Sequence, residues 1–262
     1  MTLPDTEGPA TTCESSFRGI TLACAQAKDA ALAVFLETDD SAGPHKARVA
    51  LRRLTTALDA FAAILRRRGA AEVRARAKQI FRALGRVRDS DVHLAEAATA
   101  SAALMARNRA LREKTRRSLR RARMVGFTQD LRARVQEDGP LFRRSAKARA
   151  LRAAPVADLA AQVLDAAWDN GRGYGPSVRR IPEASRHEFR KDMKTLRYLA
   201  EFFADLFPAL QDDPVRSDFR DIQDALGIWN DFAVALRIER RKPPPRPPAK
   251  VAEALATAEA AW

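Results

Sequence analysis

The 262-residue sequence has little cysteine and no long apolar run, and each shortage excludes a class of protein. Its two cysteines, Cys13 and Cys24, form neither a CxxC pair nor a disulfide framework, which favours a reduced, cytoplasmic chain. No uninterrupted apolar stretch approaches the roughly 18 residues that span a bilayer. Residues 1–16 lack the basic and apolar segments of a signal peptide. We therefore expect a soluble protein with no membrane partner.

Sequence signatures of catalysis are also missing. The GxSxG, HExxH and P-loop patterns do not occur, and the glycine-rich stretch at 171–175 follows a predicted helix rather than a strand, so we interpret it as a linker. The acidic residues at 211–224 are the only dense carboxylate group, and ion pairing with basic residues is the favoured interpretation over a metal site. We predict a non-catalytic chain with no metal and no cofactor.

Acidic residues are outnumbered, 33 against 47 lysines and arginines, which gives a net charge of +14 and implies an anionic partner. Most of this excess lies in residues 107–152, which hold sixteen basic and four acidic residues. The stretch "REKTRRSLRRAR" (112–123) places cations on nearly every side of a helix. We consider four of them as extra polyanion contacts, with plain solvation as an equal alternative: Arg116, Arg117, Arg120 and Arg123.

Strand-forming residues are sparse, while alanine, leucine, arginine and glutamate dominate, so the sequence predicts an all-α protein. Glycine and proline cluster at 41–44, 170–176 and 241–248, between long helix-forming stretches. The predicted helices cover residues 15–37, 44–68, 71–84, 89–106, 107–138, 156–169, 183–207, 213–226, 228–241 and 249–261. The proline run predicts a stiff spacer before the last helix.

An internal repeat relates two parts of the chain at an offset of 142 residues. "HKARVALRRL", beginning at His45, corresponds to "HEFRKDMKTL", beginning at His187. In the same register "IFRALGRVRD" (80–89) corresponds to "IQDALGIWND" (222–231). Two separated blocks in one register indicate a duplicated helical module.

The repeated phrase predicts a basic stripe along one side of a helix. Positions 0, 3, 7 and 10 after each histidine fall within an arc of about 80°. The second copy places His187, Arg190, Lys194 and Arg197 on this arc, with Lys191 beside it. The first copy places His45, Arg48 and Arg52 there and has Thr55 at the fourth position, so its stripe is one cation shorter. A solvated basic face is the blander interpretation, and an anion lying across each stripe is the sharper one.

Two aspartates repeat as well, Asp89 and Asp231. An N-cap that starts a new helix after Gly85 or Gly227 is the favoured interpretation. A carboxylate that orients a neighbouring arginine or histidine is the alternative.

The repeated blocks carry a family resemblance. "HKARVALRRLTTALDAF", "ALGRVRDSDVHL", "HEFRKDMKTLRYLAEFF" and "LQDDPVRSDFRDIQDALGIWNDFAVAL" resemble, in this order, the four signature blocks of the CHAD domain, the conserved histidine α-helical domain. The resemblance covers residues 15–241. It implies two four-helix bundles related by a pseudo-twofold axis, with a basic central channel that binds inorganic polyphosphate.

The resemblance also implies which residues meet the ligand. The implied polyphosphate contacts are His45, Arg48, Arg52, Arg53, Arg82, Arg88, His187, Arg190, Lys191, Lys194 and Arg197. The sequence departs from symmetry at Thr55 and at Asn230, which stands where the first block has Arg88. We predict a tail at 1–14, a first repeat at 15–140, and a second repeat at 141–262 that includes the spacer at 243–248.

The leading hypothesis is a module that binds polyphosphate and targets or organises cytoplasmic polyphosphate granules in a bacterium, with granule-associated proteins as further partners. The alternative is a nucleic-acid-binding helical protein, which the same charge permits. The basic faces carry few aromatic residues for base stacking, Tyr198 nearly alone, and no helix-turn-helix signature occurs. A polyphosphate-processing enzyme is a third, weaker hypothesis.

Overall fold

Helices account for most of the residues that the structure describes. The computed structural model describes residues 11–96, 101–121, 126–211, 213–238 and 248–262. Within these ranges the only extended pairing consists of two isolated bridges, Thr12 with Pro155 and Leu65 with Phe142. The predicted all-α class is confirmed.

Ten α-helices lie in the described ranges. They are α1 (Cys13–Glu37), α2 (Ala42–Ala60), α3 (Arg67–Glu96), α4 (Ala102–Arg121), α5 (Phe127–Val135), α6 (Ala146–Ala153), α7 (Val156–Arg172), α8 (Glu183–Phe202), α9 (Asp213–Ile238) and α10 (Ala249–Ala261). The chain divides into two compact units, Met1–Val156 and Ala157–Trp262, here called unit 1 and unit 2.

Unit 1 is organised around α1, which begins with a capping box formed by Thr12 and Ser15. Helix α1 packs on α2, α5 and α6, while α2 packs on α3 and α3 packs on α4. The buried rings of Phe17, Phe61 and Phe142 meet at its centre, with centroids 5.4 and 5.9 Å from Phe17. Burial of such rings is a large part of the hydrophobic stabilisation of a small domain.

Unit 1 extends past the predicted boundary at residue 140. The backbone of Arg66 donates to Leu141 and that of Arg143 donates to Ile64, at 2.8 and 2.9 Å. The buried guanidinium of Arg152 pairs with Glu14 of α1 and with Asp138. These contacts attach residues 141–152 to α1 and to the segment between α2 and α3, and the division lies after Val156.

Unit 2 includes the last helix as an integral part. Helix α10 packs on α9 and on the short 3-10 turn Val178–Arg180, and it buries Val251, Leu255 and Ala258. The C-terminal Trp262 lies 5.3 Å from the ring of Phe189, and its indole N–H donates to the carbonyl of Gly175 at 3.1 Å. Residues 249–261 were predicted as a helix, and the helix has these bounds.

The helix bounds follow the sequence repeat. Shifted by 142 residues, the ends of α2 and α3 fall on Phe202 and Ile238, the last residues of α8 and α9. The residues that follow α2 and α8, Phe61 and Phe203, have φ, ψ values of −99°, 18° and −114°, 15°. Each unit therefore holds the same helix pair in sequence register. The predicted pseudo-twofold relation and channel stay predictions.

Several predicted helix boundaries are wrong. Helix α3 runs unbroken through Gly85 and Asp89, and α9 runs unbroken through Gly227 and Asp231. The predicted breaks at 85–88 and 227 do not occur, so neither aspartate is an N-cap. The predicted helix 107–138 instead comprises parts of α4 and α5, with residues 122–125 outside the described ranges. Glycine weakens a helix only modestly, and packing between α2 and α3 outweighs that preference.

Helix α1 combines length with an apolar composition, although Arg18, Lys28 and Asp29 interrupt its apolar sequence. By length and composition it is the one helix in the described ranges that is long and apolar enough to cross a bilayer. A single such helix is weak evidence, because core helices pass the same test. In unit 1 its buried residues include Phe17, Lys28 and Phe35.

Candidate anion-binding site

The crossing of α2 and α3 brings part of the first basic stripe together. Arg48 of α2 lies across α3, where Nη1 donates to the carbonyl oxygen of Phe81 at 2.8 Å. Its guanidinium carbon lies 3.9 Å from the centroid of the Phe81 ring, and that of Arg52 lies 5.5 Å from the same ring. The aromatic face therefore carries two guanidinium groups one helical turn apart.

Gly85 makes this arrangement possible. A Cβ atom at residue 85 would stand 2.3 Å from Nη1 of Arg48, well inside any normal contact. The glycine of the repeated Ala-Leu-Gly motif thus provides the space that the guanidinium occupies. Burial lowers the pKa of Arg48; nearby Asp89 acts in the opposite direction, and Arg52 and Arg88 add to the lowering.

Three charged side chains lie near Arg48. Arg52, Arg88 and Asp89 all lie close enough to Arg48 to perturb it. Asp89 is exposed on α3, so the alternative hypothesis, a carboxylate beside an arginine, fits this residue. The side chain of Asp231 lies outside the described residues.

Three further cations lie on α2 and α3. Among the residues that the structure describes, Arg52, Arg82 and Arg88 form no ion pair, and Arg82 is exposed. His45 is exposed in the first turn of α2. Together with Arg48 these residues form a positive face, here called the α2–α3 face.

Arg53 is directed elsewhere. It lies against the buried thiol of Cys24 on α1. Burial raises the pKa of that thiol, while the charge and hydrogen bond of Arg53 oppose the rise. Arg53 therefore contributes to the contact of α2 with α1, in contrast to the implied ligand contact.

Unit 2 repeats the crossing but not the charge pattern. Arg190 of α8 lies beside Gly227 of α9, with Nη2 3.7 Å from the position of a Cβ atom there. One stripe cation of α8, Arg197, and its neighbour Lys191 pair with carboxylates of the same helix. These pairs are Lys191 with Glu188 at 2.7 Å and Arg197 with Glu201 at 2.9 Å. The described cations of this stripe are therefore partly neutralised within the chain.

A cavity of about 410 Å³ lies next to this stripe. Its lining mixes both charge signs with apolar side chains: Arg197, Ala200, Glu201, Ala204, Leu210, Phe219, Arg220, Gln223 and Asp224. Gln223 stands at the position of Phe81 and Asp224 at that of Arg82 in the repeat register. These positions of α9 are thus less basic than their counterparts on α3. His187 and Lys191 are exposed on α8, and Lys194 is half-buried.

The arginines of α4 have two distinct uses. Arg116 is buried, and its donors reach the carbonyls of Phe35 and Thr38 and the carboxylates of Asp39 and Glu113. Because its hydrogen-bonding capacity is used inside unit 1, Arg116 leaves the set of candidate ligand contacts.

The other α4 arginines also divide into buried residues that bond within unit 1 and residues that stay exposed. Arg120 donates to the carbonyl of Leu36 at 3.1 Å, yet it remains exposed, as does Arg117. The side chain of Arg123 lies outside the described residues. Arg112 is buried and bonds both carboxylate oxygens of the buried Asp91 at 2.8 Å.

Sequence reasoning missed the capping role of α4. The last turn of α1 contains no basic residue, and its exposed carbonyls would lack donors. The guanidiniums of Arg112, Arg116 and Arg120, spaced by four residues, supply donors to carbonyls at the end of α1 and just beyond it. The spacing of four residues indicates that these arginines lie on one side of α4, but the sequence does not tell which side of α4 faces α1.

No group of three or more His, Cys, Asp or Glu side chains that could hold a metal ion occurs among the described residues.

Comparisons with known proteins agree with the helix arrangement. The CHAD domain family model matches residues 20–238. A crystal structure of the CHAD domain from the plant Ricinus communis is similar, with a TM-score of 0.69 and 24% sequence identity. That similarity covers 96% of this chain and 86% of the plant chain, and at this identity it shows the fold alone. Curated proteins give no significant match.

Proposed function

This chain belongs to the CHAD domain family, and from that premise we propose that it binds inorganic polyphosphate through its basic helix faces. The family is known for polyphosphate binding. The observation that best supports this proposal is made on the α2–α3 face, where Arg52, Arg82 and Arg88 form no ion pair with a described residue. Like charges held together without counter-ions cost free energy, and a bound polyanion would offset that cost.

Guanidinium groups suit such a ligand. Each planar group donates two parallel hydrogen bonds to the oxygens of one phosphate, so neighbouring arginines can follow a linear chain of phosphates. Release of counter-ions from the chain makes the affinity fall steeply with salt. The proposal is a binding module without catalysis that associates with cytoplasmic polyphosphate granules and recruits granule proteins.

Nucleic acid is the competing ligand, because its phosphates meet the same charges. Single-strand binders combine a basic groove with aromatic platforms on which bases stack. The ring of Phe81 is already covered by Arg48 and Arg52, and Tyr198 is buried. These two rings are therefore poor platforms for bases, which favours the thinner polyphosphate chain.

The test is a titration of long-chain polyphosphate into the purified protein at about 0.15 M salt, with single-stranded and duplex DNA as competitors. The proposal predicts binding that neither DNA displaces at matched charge. Arg52→Glu with Arg88→Glu should weaken it about 100-fold, because two charge-assisted contacts are reversed.

The matched control carries the same change in charge at two exposed cations of unit 1, Arg132→Glu with Lys147→Glu. It should bind within a few-fold of the unaltered protein. Equal displacement by DNA would favour the nucleic-acid alternative. Equal losses in both variants would mean that the α2–α3 face is not the site.

A further inference from the structure

We propose that Arg48 is a positioning residue that holds the α2–α3 face in shape, and that Arg52 and Arg88 beside it make the ligand contacts. This inference rests on the proposed polyphosphate binding, although its structural half can be tested without ligand. It departs from the sequence interpretation, in which all cations of the stripe contact the anion alike.

The hydrogen bond of Arg48 shows the first part of this role. Its Nη1 donates to the Phe81 carbonyl at 2.8 Å. That carbonyl lies inside α3, where the amide of residue 85 is its regular helical partner, so Arg48 uses the second lone pair of the oxygen. This one N–H of the five in the guanidinium is committed to the helix backbone and is not available to a phosphate.

The ring of Phe81 occupies one face of the same guanidinium. The distance of 3.9 Å to the ring centroid is that of direct stacking, whereas Arg52 lies farther out, at 5.5 Å. Arg48 thus fixes Phe81 from one side, and Phe81 provides a surface against which Arg52 lies. Removing Arg48 should loosen Arg52 without removing the charge of Arg52.

The glycine supplies the third observation. A Cβ atom at Gly85 would lie 2.3 Å from Nη1 of Arg48, so the backbone of α3 and the guanidinium are in close contact. At the equivalent crossing in unit 2, a Cβ atom at Gly227 would lie 3.7 Å from Nη2 of Arg190, an ordinary contact distance. The tight fit is specific to unit 1, which provides a matched control within one chain.

The experiment is a double-mutant cycle of Gly85→Ala and Arg48→Ala, measured by thermal unfolding and by polyphosphate titration well below the unfolding midpoint. Gly85→Ala changes no charge, but its methyl group should displace the guanidinium from the Phe81 carbonyl and ring, so it should raise the unfolding midpoint by less than the helix preference of alanine alone would. In the Arg48→Ala background the same change should raise the midpoint by more, because the space is vacant and alanine favours a helix over glycine. Gly227→Ala should be tolerated.

The polyphosphate titration distinguishes a residue that positions the site from one that contacts the ligand. Gly85→Ala should weaken polyphosphate binding by about fivefold, the effect of a significant interface residue, and should leave the dependence of affinity on salt unchanged. Arg52→Gln should reduce the slope of log affinity against log salt by about 0.7, the value for one phosphate contact on a single strand. Gly85→Ala should have no further effect on affinity once Arg48 is alanine.

Three outcomes would overturn the inference. One is an equal effect of Gly85→Ala on the midpoint in both backgrounds. A double variant that fails to fold counts as the same outcome, because Gly85→Ala would then be harmful even without the Arg48 guanidinium. Another is an unchanged affinity in Gly85→Ala. The third is a reduction of the salt slope in Gly85→Ala as large as that in Arg52→Gln. If the unaltered protein does not bind polyphosphate, the proposed function fails, and the unfolding cycle still decides whether Arg48 and Gly85 form a unit.

Discussion

Units 1 and 2 hold equivalent helix pairs but differ sharply in charge. Residues 1–156 contain 31 basic and 16 acidic residues, whereas residues 157–262 contain 16 and 17. Helix α3 has eight basic and four acidic residues, and its counterpart α9 has three and five. In the repeat register Arg48 lies beside Gly85 and Arg190 lies beside Gly227, while the surface charge differs between the units.

The longer basic stripe is not the one with more unpaired charge. Unit 2 has one more cation on its predicted stripe, Arg197, yet Glu201 pairs with it. At the position equivalent to Glu201, Asp59 of unit 1 binds Arg74 of α3 through both carboxylate oxygens, at 2.6 and 2.9 Å, and so pairs with no stripe cation. We therefore expect unit 1 to dominate anion binding.

The largest expected effect concerns cations that belong to the core of unit 1. Arg112→Ala would leave the carboxylate of Asp91 buried without its guanidinium, and breaking a buried ion pair in this way costs about 3–5 kcal/mol. Chemical denaturation measures the free energy of unfolding. Arg117→Ala, one and a half turns away and exposed, should change it by no more than about 0.5 kcal/mol. Similar losses in both variants would refute this division of the α4 arginines.

A smaller effect should follow from removing an acid of unit 2. Glu201→Gln releases Arg197 from its ion pair, so polyphosphate affinity should rise by about two- to fivefold, the worth of one exposed pair. Glu253→Gln, an exposed position on α10, makes the same change in net charge and serves as the control. An equal gain in the control would indicate a general charge effect in place of a specific one.

The smallest expected effect is a dependence of stability on alkaline pH that arises from Tyr174 of unit 2. Burial, with a hydrogen bond to Asp192 at 2.7 Å, raises the pKa of Tyr174 to about 12. Because the unfolded phenol ionises near 10, the stabilising effect of Tyr174 is present below that pH and is lost as pH rises towards 12. The equivalent position in unit 1 is Leu32. Ultraviolet titration of a Tyr198→Phe variant would report Tyr174 alone, and ionisation near pH 10 would contradict the prediction.

Much of the helical frame was predictable because its boundaries are local. The proline run before Ala249 and the alanine-rich stretch after it determine α10, and the repeat register relates α2 to α8. The continuity of α3 through Gly85 was not predictable, since a glycine within a helical pattern is compatible with either a break or an unbroken helix, and packing against a neighbouring helix decides between them.

The site was predictable only as a set of candidates. Spacing identified Arg48 and Arg52 as members of one stripe, but spacing does not show that Arg48 bonds a backbone carbonyl. Likewise the sequence offered Arg116 as a surface cation, whereas its position between α1 and α4 makes it a cap. Which cations face solvent depends on the packing of whole helices, and a run with arginine on every side contains no signal for that choice.

The most direct test of the account compares equal charge reversals in the two units. Arg52→Glu with Arg88→Glu in unit 1 and Arg190→Glu with Lys194→Glu in unit 2 each change the net charge by the same amount, and polyphosphate affinity is measured for both at one salt concentration. We expect the loss for the unit 1 variant to be at least about tenfold larger than for the unit 2 variant, because Arg52 and Arg88 form no ion pair with a described residue and their reversal removes more attraction. Equal losses, or a larger loss in unit 2, would contradict it.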